Sequence, residues 1–106
     1  MPVTLINPFI VPKDKADEFI RNWKETTKVF SKPGSGLIET HMHRNIGGGD
    51  DSFLFINIAR WESTKAFQDA HANYKPGEEK MPGVKPHPGL FEAIINDVFI
   101  KDEAEK

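Results

Sequence analysis

The stretch from Phe53 to Phe67, FLFINIARWESTKAF, constrains this chain more than any other. Alternation puts Leu54, Ile56 and Ile58 on one side of a strand and Phe53, Phe55, Asn57, Ala59 and Trp61 on the other. Both sides are mostly apolar, the pattern of a central strand covered on two faces. Ser63 stands where a helix N-cap belongs, with Lys65, Ala66 and Phe67 in the first turns of the helix that follows. Two residues depart from an apolar strand: Asn57 brings an amide, and Trp61 a ring with one N–H. An amide buried without a partner costs about 1–3 kcal/mol. Asn57 therefore requires backbone, water or a ligand.

The rest of the chain supplies partners for this block. Val3 to Val11 reads as a first strand, with Val3, Leu5, Asn7, Phe9 and Val11 on one face. Pro8 donates no ladder hydrogen bond, so a bulge or gap is expected there. Asn7 repeats the pattern of Asn57. Asp14 is placed to cap a helix running to about Phe30, whose Phe19, Ile20, Trp23, Thr27 and Phe30 share one stripe. Pro33-Gly34-Ser35-Gly36 ends it. Leu37 to Arg44 is a strand, Gly47 to Asp51 a turn, and Phe53 to Trp61 the hairpin partner. The three glycines lead into a strand rather than a helix, so they form no phosphate cradle. A second helix spans about Thr64 to Asn73. Lys75 to Gly89 is a proline-rich connection with one helical turn near Glu78 to Met81, and Leu90 to Ile100 is the last strand.

The order β-α-β-β-α-β is the ferredoxin-like arrangement, an α+β fold with an antiparallel sheet. It sets the first and third strands side by side at the centre, which brings Asn7 and Asn57 together. Two helices cover one face of such a sheet. The face with Leu5, Phe9, Phe53, Phe55 and Trp61 is read as the other one, to be covered by the sheet of a second copy in a homodimer.

With 106 residues, 38% hydrophobic and 28% charged, the chain suits one globular domain over 1–100 with a charged tail at 101–106. A net charge of −2 with mixed signs offers nothing to nucleic acid or an anionic membrane. The absence of cysteine excludes disulfides, thiol catalysis and thiolate-bound metal. The N-terminal segment lacks a basic n-region and no apolar run reaches membrane-spanning length, so a cytoplasmic location is expected.

The segments VTLINPFIVP, DKADEFIRNW, LIETHMHR and FLFINIARWESTKAFQDAH together resemble the antibiotic biosynthesis monooxygenase family, over roughly residues 3 to 97. The resemblance implies a dimeric α/β barrel and, in one branch, cofactor-free oxidation of phenols to quinones by O₂. Asn57 and Trp61 match that branch's asparagine and tryptophan, which hold substrate and oxygen. Phe67 stands where the branch has a tyrosine. From the haem-degrading branch, Asn7 and Trp61 match pocket residues. His71 is the histidine nearest the axial position, though earlier after the tryptophan than that branch places it. Haem, or ligand binding without catalysis, is thus the alternative.

The site expected is Asn57, Trp61 and His71 as catalytic residues, with Asn7, Phe9, Phe55 and Phe67 around a small aromatic, quinol or enol substrate. Two amides supply donors that orient a phenol or enol oxygen and favour its ionised form. An electron-rich anion reduces O₂ itself, so no cofactor and no metal is expected. His71 follows Phe67 by one helical turn, where histidine suits a general base. His41 and His43 form an HxH pair without a matched third ligand, and are read as surface or dimer-contact residues alongside Leu37 and Glu39.

Overall fold

The computed structural model describes residues 1–48, 52–72 and 81–99. Strand β1 (Val3–Ile10) leads through a single 3₁₀ turn (Lys13–Lys15) into helix α1 (Ala16–Phe30). Then come β2 (Leu37–Arg44), β3 (Phe55–Trp61), α2 (Thr64–Ala72) and two short strands, β4 (Lys85–Pro86) and β5 (Gly89–Phe91). The sheet runs β2-β3-β1-β4, with β5 also paired to β1, and every pairing is antiparallel. The chain is thus α+β with the central β1–β3 pair that the element order requires. Asn7 and Asn57 are direct cross-strand partners.

Pro8 does interrupt the sheet, on one side only. Facing β3 it stays in register opposite Ile56. On the other edge β5 pairs with Thr4 to Ile6 and β4 with Phe9 and Ile10, which leaves Asn7 and Pro8 between them. The His87 N–H bridges the gap by donating to the Pro8 carbonyl at 2.9 Å and to Asn7 Oδ1 at 3.0 Å.

The helices cover the face with the amides and aromatics, which reverses the expected arrangement. Leu5, Phe30, Ala59 and Trp61 form one buried cluster, joined by Phe67 and Ala70. Phe9, Val11, Phe19 and Phe55 form a second, joined by Trp23 and Met42. Both clusters mix sheet residues with helix residues, so this face is the core of a single chain. The opposite face, with Ile6, Ile56, Ile58, Glu39, His41 and His43, enters neither cluster. Alternation divides a strand's residues into two sets; which set meets the helices is decided by the connections.

Four local expectations also change. Asp14 caps nothing: it lies inside the 3₁₀ turn, whose Lys15 N–H donates to the Pro12 carbonyl, and α1 begins with no side-chain cap. The third strand starts at Phe55 rather than Phe53. A register shift between Leu37 and Glu39 puts Leu37 opposite Trp61 on the helix side, apart from Glu39, His41 and His43. The last strand is only Gly89–Phe91, because Phe91 pairs with Thr4 near the start of β1 and an antiparallel continuation runs out of partner. The turn residues 49–51, Asn73, most of the 75–89 connection's first half and the tail from residue 100 lie outside the described residues. Ser63 caps α2 as its sequence position predicts, its Oγ accepting from the Ala66 N–H at 3.0 Å.

One glycine ties the connection between α1 and β2 to helix α2. Gly36 has φ +89°, and a Cβ there meets the Ala66 Cβ of α2 at 2.6 Å. Its carbonyl also accepts from the Glu62 N–H at 2.8 Å. Gly34, at φ +84°, has nothing within 4 Å of an added Cβ. Each Gly→Ala change costs roughly 1–2 kcal/mol for the left-handed backbone, but only Gly36→Ala adds a steric clash. Thermal unfolding followed by circular dichroism is expected to show Gly36→Ala losing clearly more than Gly34→Ala, with about 4–8 °C per kcal/mol for a domain of this size.

Candidate functional site

Asn57 lies at the seam between the two aromatic clusters, two residues from Phe55 on one side and from Ala59 on the other. It is 2% exposed and, among the described residues, is the one polar side chain in the buried set. Its Oδ1 accepts the Thr40 hydroxyl at 2.8 Å. Nδ2 has no acceptor among the described residues. The amide is therefore half-committed, with its acceptor end used and its donor end open.

Trp61 repeats that condition. The residue is 2% exposed, yet its indole Nε1–H is buried with no partner among the described residues. An unmet buried donor costs about 1–3 kcal/mol. Asn57 and Trp61 share one face of β3, four residues and so about 13 Å apart along the strand. Between them lies Ala59, whose small side chain makes a low floor. Two unanswered N–H donors thus flank an apolar floor beneath the helices.

His71 sits over this floor from α2. Its ring stacks on Phe30 at 4.5 Å and packs against Phe67 at 4.1 Å, with Trp61 at 5.6 Å. Nδ1 lies 2.8 Å from the Phe67 carbonyl, which can only accept, so Nδ1 carries the proton. In the neutral ring the free lone pair then belongs to Nε2.

The other expected residues divide. Phe67 lines the same box, with its ring 5.5 Å from Trp61. Phe9 and Phe55 belong to the other cluster, locked against Phe19 at 5.0 and 4.9 Å, and serve packing there. Asn7 faces Asn57 across the strands, but its Oδ1 is occupied by the His87 N–H beside Pro8. His41 and His43 are on the open face with ring centres 6.4 Å apart, and His41 pairs with exposed Glu39 at 3.2 Å. No set of three metal-binding side chains is found among the described residues.

Thr40 was not among the residues singled out from the sequence. It stands opposite Ala59 on β2, and its contact with Asn57 is diagonal across the ladder. A threonine in a strand is unremarkable by composition, so only the register exposes it. Thr40 also lines an open cleft of about 420 Å³ between the end of α1 and the start of β2, with Thr27, Ser31, Gly36, Leu37 and Glu62. The cleft leads from solvent to one hydrogen bond from Asn57.

Residues 2–76 match the antibiotic biosynthesis monooxygenase family. The chain belongs to that family. A candidate monooxygenase from Shewanella loihica PV-4 is 32% identical, superposes with a TM-score of 0.74 and matches over 90% of this chain and 96% of its own. SnoaB, a cofactor-independent oxygenase from Streptomyces nogalater solved as an asparagine-to-alanine variant, is 25% identical with a TM-score of 0.68 over 90% of this chain and 95% of its own. The haem degrader MhuD from Mycobacterium tuberculosis, with two haems in its active site, shares the fold at 21% identity, a TM-score of 0.60 and coverage of 91% and 99%. No curated protein matches the sequence. No helix among the described residues is long and apolar enough to cross a membrane.

Proposed function

We propose that this protein is a cofactor-independent monooxygenase that oxidises a small aromatic, quinol or enol with O₂. The observation that carries the reading is a pair of N–H donors with no acceptor among the described residues, Asn57 Nδ2–H and the fully buried Trp61 Nε1–H, on one apolar face. Donors without acceptors in a water-poor site favour an oxyanion, and preorganised donors are worth most where charge develops. Membership of the family and the likeness to SnoaB support the same chemistry.

In this reading the substrate oxygen binds Asn57 and its ring lies over Ala59 toward Trp61. The Nε2 lone pair of His71 accepts the substrate proton. The resulting anion passes one electron to O₂, and the radical and superoxide join in a carbon–oxygen bond. Loss of the C–H proton with cleavage of the O–O bond then leaves a carbonyl and releases water. One oxygen atom is retained, the other leaves as water, and the electrons come from the substrate.

A second reading, haem binding, is favoured by His71. With Nδ1–H held by the Phe67 carbonyl, Nε2 of His71 would be the atom that holds a haem iron, within a box of aromatic rings. Haem, when bound, supplies the iron at which O₂ is activated. Titration with haemin separates the two readings: a Soret band lost in His71→Ala supports haem, whereas O₂ uptake with anthrone and no Soret band supports the cofactor-free enzyme.

The assembly proposed is a homodimer through the open face. Ile58, 36% exposed, lies at its centre, and Ile94, Ile95, Val98 and Phe99 extend beyond β5 with Phe99 90% exposed. That much apolar surface requires a cover. Sedimentation equilibrium is expected to give a dimer at micromolar concentration and a folded monomer for Ile58→Glu; a folded wild-type monomer overturns the assembly.

For the site, Asn57→Ala is expected to lower O₂ uptake with anthrone about 10²–10³-fold, the usual cost of one oxyanion donor. Asn57→Asp keeps the shape but sets a negative charge beside the substrate anion, and is expected to be at least as damaging. Near wild-type turnover in both variants overturns the assignment.

A further inference from the structure

We infer that Thr40 is the positioning residue of this site: its hydroxyl holds Asn57 in the one orientation that presents N–H to the ligand. The inference rests on the proposed role of Asn57 and adds a residue to it. An asparagine side chain turned over about its last bond offers either a carbonyl or an NH₂ at nearly the same place. Among the described residues no backbone group bonds the Asn57 side chain to settle that choice. A hydroxyl can serve either end of the amide; in this structure the Thr40 hydroxyl donates to Oδ1 at 2.8 Å, which turns Nδ2 to the other side.

The consequence is a selection rule. With Oδ1 engaged, Asn57 offers only donors to the ligand atom it meets. The complementary ligand atom is an acceptor without its own proton, a phenolate or enolate oxygen rather than a neutral hydroxyl. A flipped amide presents its carbonyl instead and favours the protonated substrate, which does not reduce O₂. Thr40 also borders the cleft between α1 and β2. The group that sets the amide thus stands where a ligand entering by that cleft first meets the site. Register alone brings Thr40 within reach: it faces Ala59, so its Oγ crosses diagonally to Asn57 rather than along its own strand.

The test compares Thr40→Val, Thr40→Ala and Thr40→Ser, with two readouts. In ¹⁵N-labelled protein the Asn57 side-chain NH₂ pair, identified by its loss in Asn57→Ala, is expected as one sharp pair in wild type and Thr40→Ser. In Thr40→Val and Thr40→Ala it is expected to shift and broaden or double as both orientations are sampled. In O₂ uptake with anthrone, the hydroxyl-free variants are expected to lose about 10- to 10²-fold in kcat with little change in KM, in line with the cost of a misplaced catalytic group. Thr40→Ser is expected to restore it. Thr40→Ala covers the case in which Thr40→Val does not fold.

An unchanged NH₂ pair and kcat in the hydroxyl-free variants, with turnover lost in Asn57→Ala, overturns the role of Thr40 and leaves the Asn57 reading standing. Turnover that survives Asn57→Ala overturns the parent reading instead. A lowered melting temperature with unchanged kcat makes the hydrogen bond structural and also overturns the inference. If anthrone is not oxidised by the wild type, the amide spectrum decides alone: an unchanged pair in Thr40→Val and Thr40→Ala overturns it, and a doubled pair rescued in Thr40→Ser upholds it.

Discussion

The antiparallel pairing of β1 with β3 is the constraint on which the rest depends. It fixes Asn7 opposite Asn57 and lines Leu5, Phe9, Phe55, Ala59 and Trp61 along one surface. Fifteen residues of α1 and nine of α2 then cover that surface with Phe19, Trp23, Phe30 and Phe67. A core built of large rings fills space efficiently but meets imperfectly around a small polar residue. Asn57 occupies that meeting point, and the apolar material divides around it into two clusters.

Burial of polar atoms here follows an uneven pattern. Asn57 Oδ1, Asn7 Oδ1 and His71 Nδ1 are each engaged at 2.8 to 3.0 Å. The groups left over are donors on Asn57 and Trp61 and a lone pair on His71. Of these only Trp61 Nε1–H is fully buried, and leaving it unmet costs about as much as a typical mutation removes. These groups surround Ala59 on one face, and the cleft lined by Thr40 comes within one hydrogen bond of Asn57.

The loop that turns α1 into β2 ties this arrangement together. Gly36 touches α2 at Ala66 and bonds to Glu62, while its neighbours line the cleft leading to Thr40. A register shift just beyond it puts Leu37 against Trp61 and sends Glu39, His41 and His43 to the open face. A single irregularity in β2 therefore separates Glu39, His41 and His43 from the aromatic box and leaves Thr40 on the inner side.

Much of this was legible in the residues themselves. Periodicity gives the two helices and three long strands, the cap at Ser63 starts α2, and Pro8 marks the break in the sheet edge. Element order gives the central pair and hence the meeting of the two asparagines, because these are matters of local preference and chain connection. Tertiary structure decided the rest. Alternation cannot tell the covered face from the open one, so the aromatic face belongs to the helices and not to a second copy. The last strand stops at Phe91 because β1 ends beneath it. Thr40 reaches Asn57, and Phe9 and Phe55 pack away from it, for the same reason: a diagonal across two strands and a partition between clusters exist only once the sheet is assembled.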